Sequence, residues 1–165
     1  MKARALLLLG LVIAVFSLLA TNGKVRAGDD AQFKWVIGSS DSALAVDGSS
    51  ITVTGTGTFA PNDPDEVTGG GTWAVSTGGS GTFQVTQLIR FDLAPGSVSN
   101  PTIHAGLAFF RVAYSDGSRG ILVLSCHLPE TPANVAEGGA ASKGFADYFN
   151  LQAHGTFFQQ LSSED

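Results

Sequence analysis

Residues 104–129, HAGLAFFRVAYSDGSRGILVLSCHLP, contain two apolar runs separated by Asp116 and Gly117. Asp-Gly between apolar runs predicts a β-hairpin whose two loop residues both take a positive φ, as in a type I′ turn. In that register Phe110 lies opposite Val123, and both faces of the ribbon are mostly apolar. One face carries Phe110, Val112, Ile121 and Val123, and the other carries Leu107, Phe109, Leu122 and Leu124. Since the core covers only one face, the other needs a chain segment, a ligand or a partner.

The N-terminus has the parts of a secretory signal. Lys2 and Arg4 are followed by an uncharged, apolar run over residues 6–20, and Val25 and Ala27 put small side chains before a cleavage site. A run of about 15 residues is too short to span a bilayer comfortably. We predict a signal peptide over residues 1–27, a single domain over residues 28–165, and a secreted or extracytoplasmic location. Cleavage after Ala20 and a retained membrane anchor are the alternatives.

The charge that remains after cleavage excludes two classes of partner. Removing residues 1–27 takes away four of the nine basic residues and no acid, so five bases face 14 acids and the formal net charge changes from −5 to −9. Such a surface repels phosphate backbones and anionic headgroups, so we expect no binding to nucleic acid and none to membranes after signal removal. Cys126 is the only cysteine, which excludes an internal disulfide.

The remaining apolar and β-branched runs predict strands and no confident helix. Residues 38–50 and 61–66 are rich in turn-forming or acidic residues and are predicted as loops. The predicted strands are 32–37, 51–60, 67–76, 81–93, the two halves of the hairpin, 138–150 and 151–160. This pattern predicts an all-β fold, an antiparallel up-and-down barrel of about eight strands, with a β-sandwich as the alternative. Within 81–93, strict alternation puts Leu88 and Arg90 on one face.

A short repeat recurs within these strands. Glycine, threonine and an aromatic residue follow one another at Gly57, Gly71, Gly81 and Gly155. Glycine lets a strand bend or approach another chain closely, and we expect the ring two residues later to lie over the space it leaves. A phosphate cradle would need a strand-to-helix turn and usually a lysine, and neither accompanies the repeat.

With its export signal, its strand count and the run Gly-Thr-Gly-Thr-Phe at residues 55–59, the chain resembles the eight-stranded barrels of the allene oxide cyclase and dirigent type. It resembles lipocalins less closely. The resemblance implies an apolar interior and barrels that pair through an exposed apolar sheet face. The catalytic residues of these families are not assigned to positions in this chain.

Cys126 and His127 suggest a thiol nucleophile with its base, but neighbouring side chains in a strand point to opposite faces. Cys126 is therefore predicted to be a small buried hydrophobe and His127 a surface residue at the rim. His104 lies near the same end of the ribbon, but no acid at ligand spacing accompanies the two histidines. We predict no metal site and no cofactor.

The candidate ligand-binding residues combine cations within strands with nearby aromatic rings. They are Arg90, Arg111, Phe109, Phe110, Tyr114 and His127. Arg111 pointing inward needs a carboxylate, from Asp92, Glu137, Asp147 or an anionic ligand. Alternatively, it lies on the outer wall with its head in water.

Three functions remain open from the sequence. The first is binding of an apolar or weakly acidic small molecule, with Arg90 or Arg111 as its polar anchor. The second is a cyclase or isomerase in which His104, His127 or Glu137 moves a proton in the same pocket. The third is a structural or surface protein without a ligand. The two-faced apolar hairpin also predicts a homo-oligomer, most commonly a two-fold dimer.

The signal prediction is tested on exported material. Intact-mass analysis of protein from the culture medium or periplasm should give a mature N-terminus between Thr21 and Asp30. An exported chain that still begins at Met1 would contradict it.

Overall fold

The computed structural model describes residues 31–152 and 155–162, so the predicted signal peptide and its cleavage site lie outside the described residues. The described ranges form an all-β protein in which no helix has the length and hydropathy to cross a membrane. They contain twelve strands: β1 (Phe33–Leu44), β2 (Ser50–Ala60), β3 (Asp63–Val67), β4 (Gly70–Val75), β5 (Ser80–Leu93), β6 (Ile103–His104), β7 (Gly106–Tyr114), β8 (Arg119–Cys126), β9 (Gly138–Lys143), β10 (Ala146–Tyr148), β11 (Asn150–Leu151) and β12 (Thr156–Gln160).

The described strands pair into one antiparallel sheet. Its order is β10-β9-β8-β7-β5-β4-β2-β1-β12-β6, with β3 added to β2 and β11 to β1. The predicted all-β, antiparallel class is confirmed, whereas the hydrogen-bonded path stays open and is not a closed barrel. The sheet nevertheless curls strongly, since a Cβ placed on Gly139 of β9 would lie 2.9 Å from Asp41 Oδ2 of β1.

Aromatic rings fill the concave side of the sheet. The ring of Phe59 lies 4.8 Å from that of Phe91, 5.5 Å from Phe110 and 5.6 Å from Phe33, measured between centroids. Phe158 completes the cluster at 5.2 Å from Phe91. Most of these pairs are tilted or edge-to-face, the geometries that aromatic quadrupoles favour. These rings therefore occupy the part of the interior in which the sequence predicts a ligand pocket.

Both tryptophans lie opposite a glycine of the repeat. Trp35 pairs with Gly57 and Trp73 with Gly81 on the neighbouring strand. A Cβ on Gly57 would come within 2.6 Å of Trp35 Nε1, and one on Gly81 within 3.1 Å of Trp73 Nε1. The predicted close approach at these glycines is confirmed. At these two sites the covering ring comes from the adjacent strand rather than from two residues later in the same strand.

The predicted hairpin is present as β7 and β8, but its turn differs from the predicted type I′ turn. Tyr114 N donates to Ser118 O at 2.9 Å, Gly117 N donates to Tyr114 O at 2.9 Å, and only Gly117 in the loop has a positive φ. This is a three-residue loop of a type I turn followed by a glycine bulge. Asp116 Oδ1 accepts from Ser118 N at 3.0 Å, and the hairpin at residues 45–49 repeats the arrangement with another Asp-Gly-Ser.

The longer loop moves the hairpin register by one residue. Phe110 lies opposite Leu122 instead of Val123, which transfers the side chains of β8 to the opposite face. The inward-facing residues are Ala108, Phe110, Val112, Leu122 and Leu124. The outward-facing residues are Leu107, Phe109, Arg111, Ile121 and Val123. The two sets expected from the sequence are therefore wrong for β8: Ile121 and Val123 take the outward places expected for Leu122 and Leu124.

Two bulges break the expected alternation in β5. The pairing with β7 shifts between Val85 and Gln87 and again between Leu88 and Arg90. Leu88 is consequently buried and Arg90 exposed, so the prediction that they share a face is wrong. Each bulge adds one residue to β5 and exchanges the faces of everything beyond it.

Two predicted loops contain strand. β1 extends to Leu44, through the first predicted loop, and its pairing with β2 is interrupted by a bulge between Ile37 and Asp41. Asp41 is fully buried, and its carboxylate accepts a hydrogen bond from Thr156 Oγ1 at 2.7 Å. β3 lies within the acidic loop and pairs only with the end of β2. Pro64 is tolerated there because an edge position does not require its missing donor. The stretch 138–150 contains strand, as predicted, but it is divided into β9, β10 and the first residue of β11 instead of forming one strand.

The observed register makes a direct prediction for two neighbours in β8. Leu122→Ala should lower the free energy of unfolding by about 2–5 kcal/mol, because it opens a cavity beside Phe110. Val123→Ala, on the outer face, should lower the free energy of unfolding by a clearly smaller amount. Urea unfolding followed by tryptophan fluorescence measures both, and a larger loss for Val123→Ala would favour the type I′ register.

Candidate functional site

The candidate site is a groove on the outer face of the sheet. Its floor is apolar and consists of Leu107 and Phe109 from β7 and Val123 from β8. The groove has a volume of about 570 Å³, within the usual range for small-molecule sites. The outward half of the central hairpin is therefore the base of a concave surface.

Four segments wall the groove. They contribute Arg90, Asp92, Leu93 and Ala94 from β5 and its end, Gly138 and Ala140 from β9, Asn134, Val135 and Ala136 from the preceding loop, and Phe149 and Leu151 from the β10–β11 stretch. Ala140 is buried although it faces outward, because the walls shield this part of the floor. Phe149 remains 50 % exposed and Leu93 37 % exposed, so apolar surface is also open at the rim.

The loop wall is held against the end of β8 by three hydrogen bonds. Ser125 Oγ donates to Ala136 O at 2.6 Å. His127 Nδ1 lies 2.9 Å from Val135 O, so this nitrogen carries the proton, and His127 N donates to Glu137 Oε2. Together these three hydrogen bonds hold the loop beside the end of β8.

The charged part of the lining is an ion pair. Arg90 and Asp92 are two residues apart on the outer face of β5, and Arg90 Nε donates to Asp92 Oδ2. Their side chains are 62 % and 47 % exposed, so both heads remain accessible from the groove and from solvent.

The structure brings together only two of the six predicted ligand-binding residues. Arg90 and Phe109 line the groove. Phe110 belongs to the aromatic core, and Tyr114 is buried with its hydroxyl donating to Ser142 O at 2.8 Å. His127 is exposed and supports the loop wall from behind.

Arg111 lies on the outer wall with its head exposed, the second of the two orientations considered from the sequence. Its Nε donates to Gln87 Oε1 at 3.0 Å, and Gln87 Nε2 donates to Asp65 Oδ1 at 3.2 Å. Burial is avoided because the stem lies along the sheet while the guanidinium stays in water.

The other titratable candidates lie away from the groove lining. Cys126 is buried as predicted, and desolvation raises the pKa of its thiol to about 12. His104 lies edge-on to Phe33, with ring centroids 5.6 Å apart. Among the described residues, no group of three or more His, Cys, Asp or Glu is placed to hold a metal ion.

A lysine clamp, formed by Lys143, fixes the C-terminal end of β9, the strand that forms one wall of the groove. Lys143 Nζ lies 4.1 Å from the centroid of the Trp73 ring and 5.3 Å from that of Tyr114, and it donates to Asp116 Oδ2 in the β7–β8 turn. Only 14 % of the Lys143 side chain is exposed. Lys143 thus contacts two aromatic rings and a carboxylate, and these contacts join the β9–β10 hairpin to the central hairpin.

Sequence reasoning missed the wall residues Asn134, Val135, Ala140 and Phe149. The small residues of β9 did carry a signal, since a run of glycine and alanine in a strand permits close approach by another segment. The apolar hairpin did predict a cover, and residues 130–150 directly after it were the chain segment available for it, but no local pattern indicated which of those residues would line a groove.

No protein-family model, curated protein or solved structure matches this chain with significance. The resemblance to allene oxide cyclase and dirigent barrels therefore remains a prediction.

The clamp predicts a dependence of stability on acid pH. Hydrogen bonds from Lys143 and Ser118 lower the pKa of Asp116 to about 2 from its ordinary 3.8. A carboxyl whose pKa is lowered by folding contributes stability above its unfolded pKa and loses it as the pH falls through the folded value. Between about pH 4 and about pH 2, the urea concentration at half-unfolding should therefore fall less in Asp116→Asn than in the parent protein.

The matched control is Asp47→Asn, in the other Asp-Gly-Ser turn. There the pKa of Asp47 is lowered mainly by its hydrogen bonds to Ser49, without a lysine. Its substitution should change the acid dependence less than Asp116→Asn does. Equal effects would show that the turn, rather than the lysine clamp, is responsible.

Proposed function

We propose that the chain is an exported β-barrel protein that binds an apolar or weakly acidic small molecule in the outer groove. The observation that carries this proposal is the apolar floor of Leu107, Phe109 and Val123 at the bottom of a cavity of about 570 Å³ with a polar pair at its rim. Ligand sites combine a mostly apolar lining with a few placed polar groups in this way.

The pairing of the last strands supports the barrel. Residues 146–151 are one continuous stretch whose first half, β10, pairs with β9 and whose second half, β11, pairs with β1. A single segment thus connects two strands that stand far apart in the sheet order. Closure along this segment would remove exposed sheet edges, which are a liability for an exported chain without disulfides.

The composition of the lining favours binding over catalysis. Proton transfer needs a group within hydrogen-bond reach of the ligand. His104, His127 and Glu137, the residues considered for a cyclase or isomerase, are not among the lining residues. Backbone and loop contacts occupy His127 instead.

Assembly through the same face is the second candidate, and the exposure of Phe149 and Leu93 at the rim favours it. Exposed apolar patches mark partner surfaces as well as ligand sites. In this alternative a second copy of the chain covers the groove, as the predicted homo-oligomer requires.

Ligand binding is tested with phenylnaphthylamine, an uncharged dye that fluoresces in apolar surroundings. The dye should bind the parent protein saturably, and Phe109→Lys should weaken binding about tenfold or more, since contact with a phenyl ring contributes about 1.5–3 kcal/mol. Phe145→Lys is the control, because Phe145 is fully exposed at the β9–β10 turn and does not line the groove.

Sedimentation of the same proteins separates the two candidates. Saturable dye binding that is lost only in Phe109→Lys supports the ligand site. Absence of dye binding, together with an oligomer that Phe109→Lys converts into a folded monomer, would replace ligand binding by assembly.

A further inference from the structure

We propose that the groove prefers amphiphiles with an uncharged polar end, such as an alcohol or amide, over carboxylates of the same chain length. This inference rests on the proposed ligand-binding function and narrows its ligand class. It follows from the charges that line the groove and from the hydrogen-bonding groups beside them.

Among the described residues that line the groove, the only cation is already matched by an acid. Arg90 donates from Nε to Asp92 Oδ2, and these two residues are the charged members of the lining. Their charges cancel, so a ligand anion meets no net positive charge. A ligand carboxylate that approaches the remaining N–H groups of the guanidinium is repelled by Asp92, which lies two residues away.

The charge of the whole chain acts in the same direction. The formal net charge is −5 for the full sequence, and it becomes more negative if the predicted signal is removed. A net negative protein lowers the local concentration of anions, and the described part of the lining contains no second cation to offset this effect.

The groups that remain suit a neutral polar end. The Asn134 amide offers two donors and an acceptor, and it is exposed at the loop wall. Ser125 Oγ gives its proton to Ala136 O and keeps acceptor capacity. The N–H groups of Arg90 and the oxygen of Asp92 that lie outside the Nε–Oδ2 contact add both a donor and an acceptor. A hydroxyl or amide can use such a mixed set, whereas a carboxylate can only accept.

The test is competition between octanol and octanoate for bound phenylnaphthylamine at neutral pH. These ligands share their apolar chain and differ in the charge of their head. Parent protein should bind octanol at least about fivefold more tightly than octanoate, but part of this preference comes from the lower hydration of the alcohol. The ratio of the two affinities is therefore compared between variants.

Asp92→Asn keeps the shape of the side chain and releases Arg90 from its charged partner. It should raise the affinity for octanoate relative to that for octanol about fivefold. Asp63→Asn is the matched control, because it removes one negative charge from β3 outside the groove lining. Its affinity ratio should equal that of the parent.

Three outcomes would overturn the inference. Octanoate binding as tightly as octanol to the parent, or an unchanged ratio in Asp92→Asn, would show that the pair does not disfavour anions. An equal shift in Asp63→Asn would assign the effect to net charge instead of the pair. Failure of the dye, octanol and octanoate to bind the parent at all would instead reject the proposed function, and this inference with it.

Discussion

The pairing of large rings with glycines is the constraint on which the rest of this fold depends. Trp35 and Trp73 each lie across from a glycine whose missing side chain leaves room for the indole. A side chain at Gly57 would meet the backbone as well, since its Cβ would lie 2.1 Å from Thr68 O. The sheet can therefore curl tightly around its aromatic rings only if these positions are glycine. Tight curling in turn packs the rings of Phe33, Phe91 and Phe110 around Phe59 in the interior.

Because aromatic rings occupy the interior, the proposed ligand site lies on the convex side. The central hairpin forms its floor, since its outward face retains Leu107, Phe109 and Val123 after the inward face has been used for the core. The loop held by Ser125 and His127 rises beside that face and makes it concave. Such a wall is ordered before binding, so less conformational entropy is lost when a ligand enters.

Much of the fold was predictable from the sequence because strands, turns and their order depend on local residue patterns. The register was not, because Asp-Gly alone does not distinguish a two-residue from a three-residue loop. The serine after the glycine carries that information: its backbone N–H and hydroxyl bond to the Asp116 carboxylate and stabilise the longer loop. The same three residues at 47–49 form the same turn, so Asp-Gly-Ser is a more specific signal in this chain than Asp-Gly.

The candidate site was less predictable because it depends on where the alternation of strands is interrupted. A bulge in β5 sends Leu88 inward and Arg90 outward, and the bulge has no residue signature that distinguishes it from a regular strand. Without it, Arg90 and Asp92, which lie two residues apart in the strand, would both share the inward face of Leu88. With it, both side chains lie on the outer face, where they pair and line the groove. One extra residue in a strand thus moves a charged pair from the core face to the rim of the groove.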